Sequence, residues 1–153
     1  MQLTQFSDYS LRTTLYLMAH PERLVAVEEI SKAYSISRHH LVKVVQRLVE
    51  LEFIVALRGR NGGMRLAKKP EEINVGQMVR GTEPNFNLVE CFDEVHNTCP
   101  ISSVCGLKGA LYQAREAFLK VLDSYSLADF QSNSSQLIPL WELRLRDSEK
   151  VVV

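Results

Sequence analysis

Hydrophobic positions recur at helical spacing along most of this chain, broken at a few defined points. From Leu3 to Ala19 there is neither Pro nor Gly, and the run predicts a helix that stops before Pro21. Val27 to Tyr34 predicts a short second helix with Glu28 and Glu29 in its first turn, where the helix dipole favours acids. After Ser35-Ile36 comes "SRHHLVKVVQRLVEL". Ser37 is a good N-cap there, and Leu41, Val44, Val45, Leu48 and Val49 form the apolar side of a third helix. Its other side presents Arg38, His39, Lys43 and Arg47. Two helices joined by so short a turn, the second basic outward, predict a helix-turn-helix.

The period then changes. Phe53–Leu57 is β-branched and apolar, Met64–Ala67 can return beside it, and Asn61-Gly62 between them suits a tight type I′ hairpin turn. A basic hairpin after a recognition helix is the layout of a winged helix. It places Arg58 and Arg60 at a tip that reaches a minor groove or phosphates; the plainer reading is a structural hairpin with solvated arginines. Further on, Val75–Arg80 predicts one or two helical turns closed by Gly81, and Leu107–Tyr125 a helix of about 19 residues, roughly 28 Å long. Leu107, Leu111, Ala114, Phe118, Val121 and Leu122 line one side of it, the expected seam of a homodimer. Beyond the polar "QSNSSQ", the segment ending "LIPLWELRLRDSEKVVV" reads as a loose or partly helical tail without a partner segment.

Composition sharpens this picture in two places. The chain has 153 residues and a net charge of zero, but residues 1–70 carry 11 Lys/Arg against 6 Asp/Glu, and residues 71–153 carry 7 against 12. Residues 38–69 alone hold eight basic side chains and two acidic ones. A basic half joined to an acidic half points to nucleic acid in a way the neutral average hides. No apolar run approaches a membrane span, and the start "MQLTQFSDYS" has no leader character, so a cytoplasmic protein with reduced thiols and no membrane partner is expected.

All three cysteines, Cys91, Cys99 and Cys105, lie in "CFDEVHNTCPISSVC". The spacing C-x7-C-x5-C lacks the close pair that structural zinc sites favour. An iron–sulfur cluster tolerates wider spacings and can leave one iron to another ligand. From spacing alone, cluster, zinc and free redox thiols all stay open. Within reach are His96, Glu90 and Asp93. Asp8 on the first helix sits on a face where a carboxylate needs a partner, which Arg12 one turn on would supply.

Taken together, the opening "MQLTQFSDYSLR", the helix "SRHHLVKVVQRL", the stretch "LRGRNGGMRL" and the three-cysteine loop resemble the winged-helix iron–sulfur transcriptional regulators, most of all their nitric-oxide-sensing repressors, over about residues 1–130. The resemblance implies a mainly α fold with a small β-hairpin wing: a winged helix-turn-helix plus a long C-terminal dimerisation helix. It implies a homodimer on a double-stranded DNA operator, with Ser37, Arg38, His39, His40, Lys43, Arg47, Arg58, Arg60 and Asn61 at the DNA. It implies a 2Fe–2S or 4Fe–4S cluster held by Cys91, Cys99 and Cys105, and a nitric oxide signal that releases the protein from its operator. In one branch of the family an aspartate of the first helix, from the other subunit, is the fourth ligand, and the matching residue is Asp8. The expected division is residues 1–80 for DNA, 81–106 for the cluster loop, 107–130 for the dimer helix and 131–153 for the tail.

Two departures qualify the resemblance. The first cysteine spacing is longer than the five residues common in the family. The sibling cluster-biogenesis regulators use a His three residues after the last Cys, where this chain has Lys108, which cannot coordinate while protonated. An iron-responsive or biogenesis regulator of the same fold is the alternative, and a small metal or electron-transfer protein without DNA binding is the alternative from another class. No phosphate-cradling loop or nucleophile motif is present, so an enzyme is not expected.

Overall fold

A computed structural model describes residues 2–59 and 62–150. Among the described residues six α-helices run in chain order: α1 Gln5–Met18, α2 Val27–Tyr34, α3 Arg38–Glu50, α4 Val75–Thr82, α5 Gly106–Asp123 and α6 Ser134–Lys150. Two strands, β1 Ile54–Leu57 and β2 Gly63–Leu66, form the antiparallel wing between α3 and α4.

The helix-turn-helix forms because both of its helices stop in the same manner. At the end of α2, Ser35 adopts φ 54°, its N–H donates to Lys32 O, and the Ile36 N–H reaches back to Ser31 O. At the end of α3, Glu52 adopts φ 58° and the Phe53 N–H reaches back to Leu48 O. Each is a Schellman closure whose following residue, Ile36 or Phe53, is buried beneath the helix it ends. Ser37 then accepts the His40 N–H and starts α3. Three residues therefore turn the chain, and Leu41, Val44 and Leu48 of α3 meet Ile30, Ala33, Tyr16 and Leu17 in one core.

The wing pairs much as the sequence expects: Leu57 pairs with Gly63, so residues 58–62 connect the two strands. The Gly62 N–H donates to Gly59 O, Gly59 has φ +117°, and a Cβ on Gly62 would run into the Leu57 carbonyl. The register is set from the other side as well. Val25 and Met64 exchange both backbone bonds, at 3.0 and 2.8 Å, so β2 is clamped between β1 and the chain entering α2. Asn61, and with it the type I′ expectation, lies outside the described residues, as does Arg60.

Two elements differ from the sequence expectation. Gly81 lies inside α4 instead of closing it: its carbonyl accepts Arg47 Nε at 3.0 Å, and its missing side chain leaves room for Leu51. The tail is a helix with a partner. α6 packs on α2, and Trp141, 6% exposed, sits among Tyr16, His20 and Tyr34 with ring centroids 4.7–6.1 Å away.

The C-terminal end of α5 is tied to this body. Arg80 on α4 forms a two-bond ion pair with Asp123, and the Asn74 amide donates to Asp123 O at 2.7 Å. Gly76 makes that close approach possible, since a Cβ there would collide with the Asp123 carboxylate. From there α5 runs outward, and the cysteine connection 83–105 joins its far end.

Candidate functional site

Two groups of side chains deserve the name of a site: the face formed by α3 with the wing, and the cysteine connection.

On α3, Arg38, His39, His40 and Lys43 are exposed. Arg38 is 3.5 Å from Glu28 of α2, a loose surface pair that leaves the guanidinium free to swing to a phosphate. Ser37 is an N-cap at the mouth of the same helix. Arg47 is exposed too, but engaged. Its guanidinium donates to Gly81 O and to Glu50 at 3.1 Å, so it holds α3 to α4. Arg58 stands exposed just past β1, while Ala56 and Gly63 of the wing line a cleft with Val27, Glu28 and Arg38. Sequence reasoning did not single out Gln5, Phe6 and Tyr9. They leave α1 beside His40, Lys43 and Val44 and line a cleft of about 190 Å³, with the Tyr9 ring 6.4 Å from His40. Nothing in their spacing signals this; it follows from how α1 crosses α3.

The cysteine connection starts from a fixed point. The Glu83 carboxylate accepts both the N–H and the hydroxyl of Thr4, at 2.7 and 2.9 Å, and Thr4 caps α1. Asp8 lies one turn further along α1. It is paired with Arg12, 2.7 Å at the shortest, so in this chain Asp8 has the salt-bridge partner that the sequence allowed as its plainer role. Beneath the two, Ser7 and Thr82 share a hydrogen bond of 2.9 Å in a fully buried contact between α1 and α4.

Within the connection, Cys91, Cys99 and Cys105 are free thiols of intermediate exposure, and Cys105 is the residue from which α5 starts. Glu90 accepts both the N–H and the hydroxyl of Thr98 at 2.6 Å, and these bonds hold its carboxyl below the usual range. Each partner directly precedes a cysteine, so the clip ties the chain before Cys91 to the chain before Cys99. Asp93 binds the His96 ring at 2.8 Å and caps the Val95 and His96 N–H groups, which lowers its carboxyl pKa too. His96 is 80% exposed, so its second ring nitrogen faces solvent. Lys108 donates to Ser102 at 3.3 Å. Among the described residues, no three His, Cys, Asp or Glu side chains converge on one point. One chain therefore supplies three soft donors on a shaped loop without drawing them into a closed cage.

The comparisons decide the lineage of this arrangement. Residues 3–133 match the family model Rrf2, described as an iron-dependent transcriptional regulator. This chain belongs to the Rrf2 family. The Rrf2 chain is 47% identical over 145 residues to the HTH-type transcriptional regulator NsrR of Bacillus subtilis, covering 94% of this chain and 99% of the relative. It is 48% identical over the same length to NsrR of Geobacillus kaustophilus, with the same coverage. Among solved structures, IscR of T. potens superposes with a TM-score of 0.70 at 21% identity, covering 88% of each chain. CymR of B. subtilis, titled its global cysteine regulator, gives 0.68 at 24% identity, covering 86% of this chain and 97% of that one. At such identities these two attest the fold, a winged helix with a long C-terminal helix. The relatives are named as transcriptional regulators, a non-enzymatic role, in agreement with the sequence reading of this Rrf2 protein. No helix among the described residues is long and apolar enough to cross a membrane.

Proposed function

We propose that this Rrf2 protein is a homodimeric, cytoplasmic transcriptional repressor that senses nitric oxide through an iron–sulfur cluster. The single observation that carries the reading is the 47% identity to NsrR across nearly the whole of both chains. The donor set fits the group chemically: three free thiols, half-sheltered, on one connection. In this reading Cys91, Cys99 and Cys105 hold the cluster, 2Fe–2S or 4Fe–4S, and Asp8 of the partner subunit completes it. When bound, such a cluster supplies irons open to attack by nitric oxide. The chain's own residues do the rest. Ser37, Arg38, His39, His40 and Lys43 enter the major groove from the start of α3, and Arg58, with Arg60 and Asn61, steadies the wing on the backbone. Arg47, also proposed as a DNA contact, is exposed on the same helix and holds α3 to α4 through Gly81 O.

Coupling follows from the positions of the ligands. Asp8 belongs to the helix that crosses α3, while the cysteines ride at the free end of α5. A bond between them across the dimer sets the separation of the two recognition helices, which has to match half-site spacing of about 34–36 Å or a multiple. In the same reading residues 1–80 form the DNA-binding part, 81–106 the cluster loop and 107–130 the dimer region, while 131–153 follow as the tail. The alternative, an iron-responsive or cluster-biogenesis regulator, draws on the family's description as iron-dependent; Lys108 in place of a ligand His speaks against the biogenesis branch.

The test is anaerobic purification with iron and sulfide counts, followed by operator titration at several salt concentrations before and after a nitric oxide donor. Stoichiometric iron and sulfide, with operator affinity lost after the donor, is the expected result. Protein that binds its operator equally well without iron and with nitric oxide would sink the reading.

A further inference from the structure

Of the 23 residues between α4 and α5, running from 83 to 105, a single one is buried: Phe92, 7% exposed. It belongs to no part of the main core. Its ring lies flat on Tyr112 of α5, with centroids 4.1 Å apart and planes at 18°. The Arg115 guanidinium covers both rings, 5.2 Å from Phe92 and 4.5 Å from Tyr112, and Glu116 holds it in place at 2.9 Å. Two aromatics and a cation stacked at a surface are worth more than area alone, because the quadrupoles and the charge align. Phe92 is the residue after Cys91, about 3.8 Å away along the chain. It closes the 3₁₀ turn Glu90–Phe92, from which Glu90 reaches Thr98 beside Cys99.

We infer that the Phe92–Tyr112–Arg115 stack is the seat of the cysteine loop: it fixes Cys91, and through Glu90 and Thr98 also Cys99, over α5 before any cluster is present, and it lays a permanent positive charge beside the cluster when one is bound. These are positioning residues, and the inference rests on the cluster reading above only for its second half. Three loose thiolates would have to be ordered at the moment of metal binding; a seated loop has that ordering done in advance. The charge has its own consequence. A cluster held by three thiolates is anionic, more so when reduced, so the Arg115 guanidinium, offset in part by its Glu116 partner, favours the reduced form and raises the reduction potential.

The experiment compares the wild-type chain with Phe92→Leu, Tyr112→Leu, Arg115→Gln and Arg115→Lys. In metal-free protein, amide hydrogen exchange over residues 88–100 is followed by mass spectrometry. Phe92→Leu and Tyr112→Leu should speed exchange at residues 92 and 93 about two- to tenfold while leaving α1–α3 unchanged. Tyr112 lies outside the loop, so its effect cannot come from altered loop sequence. In reconstituted protein, Arg115→Gln should lower the midpoint potential and Arg115→Lys should restore much of it. Unchanged loop exchange in both aromatic variants overturns the seat, whatever the iron content. An unchanged potential in Arg115→Gln overturns the role of the charge. If the wild-type chain takes up no iron and sulfide yet the exchange responds as expected, the cluster reading falls and the seat stands.

Discussion

At the scale of single residues, backbone strain and donor chemistry give the sharpest tests. Ser35 turns the helix-turn-helix at φ 54°, a conformation that costs an L-residue about 1–2 kcal/mol, whereas glycine adds about 0.5–1 kcal/mol of chain entropy. Ser35→Gly should therefore be neutral or stabilising, by up to about 1.5 kcal/mol, in denaturant unfolding. Gly62 is the reverse case. A Cβ there meets the Leu57 carbonyl, so Gly62→Ala should distort the wing and weaken operator binding while the rest of the fold melts nearly unchanged. For the thiols, replacing any one of Cys91, Cys99 or Cys105 by Ala should abolish stable iron and sulfide binding, because an iron loses a soft ligand. Asp8→Ala should keep a less stable cluster with altered nitric oxide reactivity. If Asp8→Ala matches the parent and His96→Ala does not, the fourth ligand is the local histidine.

At the scale of elements, α6 and the turn before α2 are what hold the DNA-binding domain in shape. Trp141→Ala removes a side chain buried among Tyr16, His20 and Tyr34, and losses for such truncations run to about 3–5 kcal/mol. Thermal unfolding should drop accordingly, and α6 should become the first segment to exchange. Beneath it, Glu29 accepts the Tyr16 hydroxyl at 2.7 Å and two bonds from Arg23. Burial alone would raise its carboxyl, but the Arg23 and Tyr16 bonds outweigh that and hold it below its ordinary value. A folded pKa below the unfolded one contributes stability that is present above the unfolded value and lost as the pH falls through the folded one. The chain should thus lose stability as the pH drops below about 4.5. Glu29→Gln should flatten part of that slope in acid titrations of the melting temperature.

At the scale of the whole molecule, α5 exposes what a monomer has no reason to expose. Leu107 is 66% and Val121 56% exposed, and Ala110, Ala114 and Ala117 lie exposed between them at heptad-like steps. Leu111, Phe118 and Leu122, the other members of the stripe, are half-buried. In the proposed dimer this face meets its own copy. Leu107→Glu combined with Val121→Glu should shift the protein to monomer in light scattering and weaken binding to a two-half-site operator by at least about tenfold, with no DNA-contacting residue touched. Arg58→Ala should act differently, leaving the dimer intact and reducing the salt dependence of operator binding by about one per contact on each subunit.

The amino-acid sequence by itself determined the first three helices, the hairpin and the long helix α5. Ser37 as a cap, the apolar side of α3 and the change of period at Phe53 are local signals, and a helix or hairpin responds to local signals directly. The density of charge between Arg38 and Lys69 was legible for the same reason. The tertiary structure decided whatever depends on two distant segments meeting. α1 buries Ser7, Ser10, Thr13 and Thr14 against its neighbours, a polar face that no hydrophobic period could announce. β2 is also held by Val25, nearly forty residues upstream of Met64, a pairing that no local signal announces. Trp141 had no partner within its own segment and found one in α1 and α2. The bond from Arg47 to α4 could not be read from the helix alone, and Phe92 looked like one apolar residue in a loop until Tyr112 and Arg115 covered it. A side chain's local pattern records which face it occupies; its role depends on what the fold brings to that face.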